Sequence, residues 1–139
     1  MVIETYFPVR YAETDQMGIV HHSVYPVWFE CGRTEFIKHF GITYDYVEKE
    51  GLLLPLIRLT CEYKTPIRYG ETALVKTRLL KGTKVRLEFG YEVFSMERNF
   101  LCATGSTEHA WTGADLKPVN IAKFNPELYE KLIPLYNSI

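Results

Sequence analysis

Residues 23–41, SVYPVWFECGRTEFIKHFG, decide how the rest of the chain must be arranged. Ser23 stands where a helix N-cap would, and Pro26 is tolerated in a first turn, whose N–H groups have no intrahelical acceptor. Gly41 fits the C′ position that ends a helix. The spacing therefore predicts a helix over 24–40. Val24, Val27, Trp28 and Cys31 fall on one stripe, and Tyr25, Phe29, Gly32, Phe36 and Phe40 on its neighbour. Together they give an apolar face wider than a surface helix needs. Such a helix has to be embraced by something large, such as a curved sheet.

The flanking sequence supplies that sheet. Residues 4–11 (ETYFPVRY) read as a first strand, with Pro8 placing it at an edge or a bulge. Beyond the helix, TYDYVEKE at 43–50 reads as a short helix ending at Gly51. Residues 54–64 set Ile57, Leu59, Cys61 and Tyr63 against Arg58, Thr60 and Glu62. Residues 72–81 alternate less cleanly. Residues 84–94 carry the clearest period of two, Val85, Leu87, Phe89, Tyr91 and Val93 against charges and Gly90. Gly82-Thr83 reads as a two-residue hairpin turn, Glu97-Arg98-Asn99 as a second turn, and 100–112 as a strand. A last helix over 126–136 opens with Asn125 as cap and Pro126 at its first position. One strand, one long helix and four successive strands make a two-layer α+β fold with a mainly antiparallel sheet. No repeat, linker or low-complexity tract divides it, so residues 1–139 read as one domain.

Composition narrows the function. Sixteen basic and 17 acidic residues leave a net charge of −1, which argues against a nucleic-acid domain. Cys31, Cys61 and Cys102 are an odd, widely spaced set without a CxxC. They read as reduced thiols rather than as a disulfide framework or zinc site. MVIETYFPVRYAETD is not a secretory leader, and no apolar run approaches the ~20 residues of a membrane helix. A cytoplasmic protein with no membrane span is expected.

Chemistry concentrates at 11–30, YAETDQMGIVHHSVYPVWFE. Asp15 lies in a loop just past a strand, followed by Gly18, the pair His21–His22, and the start of the aromatic helix. The first N–H groups of a helix lack internal partners and carry the positive end of its dipole. A carbonyl placed there would have its developing oxyanion stabilised, and a nearby Asp can act as base or nucleophile. Each residue also has a plainer reading: Asp15 as a turn residue, the histidines as locally bonded side chains. Adjacent His side chains diverge, and no acidic or His cluster at helix spacing accompanies them, so neither a metal nor a cofactor is expected.

The run D-x-M-G-I-V-H-H-x-x-Y at 15–25, followed by W-F-E-x-x-R-T-E at 28–35, resembles the signature of the 4-hydroxybenzoyl-CoA thioesterase-like family of hotdog-fold acyl-CoA thioesterases. The Tol-Pal-associated branch is the most similar in pattern. The likeness extends from about Val9 to Trp111 and includes E-Y-K-T-P-I-R-Y-G-E at 62–71. It implies a sheet wrapped around a long central helix, with Asp15 as the catalytic carboxylate. It further implies that the backbone N–H at His22 binds the thioester oxygen, with Gly18, Tyr25 and Glu30 as substrate-binding positions. His21 departs from the branch, which more often has Tyr or Phe there. Glu30 can equally be a helix partner of Arg33 at i, i+3. The implied activity is hydrolysis of an acyl-CoA to free acid and CoA. A non-catalytic acyl-thioester binding protein and a hotdog dehydratase are the alternatives. Ser106 and Cys102 lack an elbow motif and are unattractive nucleophiles. Lys81, Lys84 and Arg86, or Lys64 and Arg68, are the cation groups that could meet CoA phosphates. A homodimer with shared sites is the expected minimal unit, and a homotetramer is expected beyond it.

Overall fold

The computed structural model describes residues 1–139. Strand β1 (Ile3–Pro8) leads through a single 3-10 turn at Tyr11–Glu13 and the Asp15 loop into helix α1 (Val24–His39). Helix α2 (Tyr44–Lys49) and the two-residue strand β2 (Leu52–Leu53) follow. The main strands come next: β3 (Leu56–Tyr63), β4 (Thr72–Gly82), β5 (Arg86–Ser95) and β6 (Phe100–Ala110). A short β7 (Thr112–Gly113) pairs with β2, and helices α3 (Ile121–Phe124) and α4 (Pro126–Tyr136) end the chain.

The main sheet is antiparallel throughout, in the order β1-β4-β5-β6-β3. The sequence suggested consecutive hairpins, and β4-β5-β6 form them. β3, however, pairs with β6 rather than with β4, so the segment from Tyr63 to Thr72 crosses the ends of β6 and β5. The Lys64 and Thr65 N–H groups donate to the Cys102 carbonyl along the way.

Helix α1 packs on β1, β3 and β4. Phe29 stacks on Tyr91 of β5 at 4.3 Å, and Phe36 meets Phe89 edge-on at 5.8 Å. Contact with β6 depends on Gly105, where an added methyl would lie 2.5 Å from the Phe29 ring. Of the two expected apolar stripes, Tyr25, Phe29, Gly32 and Phe36 are buried and Phe40 is half-buried, but Val27 and Cys31 are exposed. The sheet covers less of the helix circumference than the apolar pattern suggested. The opposite face of the sheet is mixed: Arg78–Glu92 and Arg86–Glu108 ion pairs at 3.0 and 2.7 Å lie beside Leu74, Leu80 and Phe94, with the Lys76 ammonium 4.8 Å from the Phe94 ring centre.

Local signals hold where they are local. Gly41 and Gly51 follow the first two helices, and Asn125 caps α4 by accepting from the Leu128 N–H at 3.0 Å. Ser23 differs. It occupies the N-cap position of α1 but makes no capping bond. Its hydroxyl meets His21 Nδ1 at 2.8 Å instead, a competing local partner. The β4–β5 connection is longer than two residues: Thr83 to Val85 lie between the strands, and the Thr83 hydroxyl accepts from the Val85 and Arg86 N–H groups. Val85 is therefore exposed. Ile57 falls at a register shift between Leu56 and Arg58 and is exposed, and Tyr63, at the end of edge strand β3, is exposed as well.

Candidate active site

The Asp15 loop is a closed unit. Thr14 and Val20 bridge its ends, and the Asp15 N–H donates to the Ile19 carbonyl at 2.9 Å. Gly18 donates to the Asp15 carbonyl and sits at φ +76°, a left-handed conformation that favours glycine. Asp15 Oδ1 accepts from the Met17 N–H at 2.8 Å and the Ile19 N–H at 3.4 Å. This is the turn-residue geometry expected on general grounds. It binds one carboxylate oxygen and leaves Oδ2 without a hydrogen bond. No ion pair involves Asp15.

The loop is docked on the crossover between β3 and β4. The Val20 N–H donates to the Ile67 carbonyl at 2.8 Å, and Ile19 bridges Arg68. A cavity of about 200 Å³ opens between the two segments. Asp15, His22 and Tyr25 line it from one side, with Tyr63, Lys64 and Pro66 from the other. The His22 carbonyl accepts from the Tyr63 hydroxyl, while the His22 N–H has no acceptor within the protein. The rings of His21 and His22 lie 4.1 Å apart, so these adjacent side chains do not diverge as expected. Tyr25 meets Tyr63 edge-on at 5.0 Å. Burial pushes the Tyr25 phenol well above its ordinary value and the Tyr63 phenol up to about 12, so both remain protonated donors at neutral pH.

Asp15, His22 and Tyr25 thus come together, and Gly18 shapes the loop without lining the cavity. Glu30 lies elsewhere. It is exposed and lines a separate cavity of about 410 Å³ with Arg33, Tyr44 and the Leu52–Pro55 stretch. It forms no ion pair with Arg33. His21 does not line the Asp15 cavity. Cys102 is buried, with its thiol pushed up by that burial, and Ser106 bonds Thr60 on the strand at 2.6 Å. Of the two cation groups, Lys64 stands at the Asp15 cavity with its Nζ 3.5 Å from Glu62, and Arg86 is paired with Glu108 at 2.7 Å. The residue missed as a site residue is Tyr63, which the alternation only groups with Ile57, Leu59 and Cys61 on one strand face. The only signal for it was its place in the E-Y-K-T-P run.

Comparison with known proteins places the fold and the family. The putative acyl-CoA thioesterase YneP of Bacillus subtilis is 39% identical over 126 residues, covering 88% of this chain and 91% of that protein. The DHNA-CoA thioesterase from Staphylococcus aureus is 37% identical, with a TM-score of 0.87 over 94% of this chain and 87% of that one. The hypothetical protein TT1821 from Thermus thermophilus is 36% identical, with a TM-score of 0.85 over 97% of this chain and 98% of that one. The fold is the hotdog arrangement of sheet and central helix, and relatives of this chain bear the names of acyl-CoA thioesterases and thioester hydrolases. With the profile of the thioesterase-like superfamily matching residues 9–132, the chain belongs to that superfamily.

Proposed function

We propose that this protein hydrolyses acyl-CoA thioesters, with Asp15 as the catalytic carboxylate. One observation carries the reading. Asp15, which lines the same cavity as His22, spends Oδ1 on its own loop and leaves Oδ2 without a hydrogen bond, and the His22 N–H has no acceptor in the protein. A thioester carbonyl oxygen accepting from that N–H at the helix start has its developing charge stabilised. The free Asp15 oxygen either deprotonates a water that attacks the carbonyl carbon or attacks it directly, forming a mixed anhydride that water then opens. The thiolate of CoA departs in either case, and its low basicity removes the need for a strong general acid. Tyr25 bounds the acyl group, and Lys64 meets the phosphates of CoA. The D-x-M-G-I-V-H-H run supports placement with the Tol-Pal-associated branch, and three free thiols suit a cytoplasmic setting.

The working unit in this reading is a dimer joined through β3. This strand is an unpaired edge exposing Leu56, Ile57 and Tyr63. The Asp15 cavity lies at its C-terminal end and the larger cavity at its N-terminal end. Antiparallel pairing of two β3 strands would bring one copy's larger cavity, with Glu30 on its rim, next to the other copy's Asp15.

Thiol release from short, long, branched and aromatic acyl-CoAs tests the assignment. Asp15→Asn keeps the amide-accepting oxygen and so the loop, and turnover is expected to fall about 10²- to 10⁴-fold. His22→Ala keeps its backbone N–H and is expected to lose less than about 10-fold. Full activity in folded Asp15→Asn would overturn the role of Asp15. A His22→Ala loss as deep as that of Asp15→Asn would make the imidazole a direct acid or base.

A further inference from the structure

We propose that Arg98 and Glu71 are a positioning pair, holding the Asp15 loop and the facing cavity wall as one rigid unit. The proposal rests on the reading of Asp15 as the catalytic carboxylate. Neither residue lines the cavity. Both act on the crossover from Tyr63 to Thr72, which forms its far wall.

Arg98 lies in the β5–β6 turn, directly where the crossover passes. Its Nη2 donates to the Pro66 carbonyl at 2.6 Å, and its Nε donates to Glu71 Oε2 at 2.6 Å. The Ser95 hydroxyl, at the end of β5, donates to the same Glu71 oxygen. The other Glu71 oxygen accepts from the Arg68 N–H at 3.0 Å. One guanidinium and one carboxylate therefore grip the crossover at residues 66 and 68, on either side of the fully buried Ile67. Burial alone would raise the Glu71 carboxyl; Arg98, Ser95 and the Arg68 N–H outweigh it and hold the group below its ordinary value.

The gripped residues are those on which the Asp15 loop rests. The Ile67 carbonyl accepts from the Val20 N–H, Arg68 bridges Ile19, and the Ile19 carbonyl accepts from the Asp15 N–H. The path from Arg98 to Asp15 is thus a short series of backbone contacts. The Arg98 side chain keeps 35% of its exposure and that of Glu71 14%. The guanidinium sits at the surface, outside the packed core, so the loss of global stability on truncating Arg98 is expected to be modest. The pair's selective value lies in geometry, because misplacing a catalytic group by about 1 Å can cost on the order of 10²-fold in rate.

Arg98→Met, Arg98→Lys, Glu71→Gln and the Arg98→Met/Glu71→Gln double variant test this in the full-length chain. Arg98→Met and Glu71→Gln are each expected to lower kcat about 10- to 30-fold while the melting temperature moves by no more than about 3 °C. Arg98→Lys can serve Glu71 or Pro66 but not both, and is expected to recover to within about 5-fold of the parent. The double variant should lose no more than the worse single, because the two act as a unit. Amide hydrogen exchange gives a readout that needs no substrate: Val20 should lose at least about 10-fold in protection in Arg98→Met while Val93, in the core of β5, keeps its own. A folded Arg98→Met protein with kcat within about twofold of the parent would overturn the proposal. Unchanged Val20 protection, or losses that multiply in the double variant, would overturn it too. The exchange readout is independent of Asp15 chemistry, so a failed Asp15 assignment and a failed clamp give different patterns.

Discussion

The Tyr63 hydroxyl donates a hydrogen bond to the His22 carbonyl at 2.7 Å, across 41 residues of sequence. It ties the exposed edge of the sheet to the segment just before the central helix. Removing it with Tyr63→Phe should cost about 1 kcal/mol of stability, which is about 3 °C in melting temperature for a chain of this size. The His22 N–H shares that backbone segment, so kcat/KM should also fall, by about 3- to 10-fold. Calorimetry and thiol-release kinetics on the same preparation check both numbers.

Substitution of Ile57, which stands exposed on β3, addresses assembly. Ile57→Lys places a charge at the proposed pairing edge and should shift the protein to a monomer in sedimentation velocity. Turnover should fall with it, since each site would then lack its neighbour's contribution. A fully active monomer would remove the shared-site reading.

Gly105→Ala examines the contact between helix and sheet. The added methyl would lie 2.5 Å from the Phe29 ring and 2.6 Å from the Thr60 carbonyl. Backbone on one side and a fully buried ring on the other leave little room to yield. A loss of about 2 kcal/mol is expected in urea unfolding, within the usual cost of overpacking.

His109 sets a pH dependence. It is buried, with Nδ1 donating to the Leu54 carbonyl at 3.3 Å and Nε2 accepting from the Thr107 hydroxyl at 2.9 Å. Burial, with Arg33 nearby, lowers it from the ordinary 6.5 to about 4. The unfolded chain therefore takes up a proton at a higher pH than the folded one. The stability it protects is intact above about pH 6.5 and lost progressively down to about pH 4, by about 3 kcal/mol at most. Urea titrations at pH 7 and 4.5 should show the loss, and His109→Gln should flatten it.

What could be read from the residues divides along the range of the interactions. Helices α1, α2 and α4 were legible because their ends are set by nearby residues such as Gly41, Gly51 and the Asn125-Pro126 pair. That Asp15 and His22 lie at one cavity was legible because the short D-x-M-G-I-V-H-H run carries them together. Strand neighbours were not. Alternation in 54–64 tells which side chains share a face, but not whether anything covers that face, and it does not show the register shift at which Ile57 turns outward. The pairing of β3 with β6 is decided by surfaces far apart in the chain, and the grip of Arg98 on Pro66 follows only from that pairing. Ser23 shows a smaller version of the same limit, since its capping oxygen had a competing partner two residues away.

The crossing from β3 to β4 has a consequence for how the protein matures. As the chain is synthesised, the Asp15 loop emerges long before the crossover it rests on, and the turn bearing Arg98 emerges later still. Pairing β3 with β6 closes a long loop, a slow kind of contact to establish. Hydrolytic competence would therefore be among the last properties gained on folding, and a nascent or truncated chain lacking β6 would hold Asp15 without the surface that orients it. Recovery of turnover after dilution from denaturant would then report closure of the sheet rather than formation of the helix.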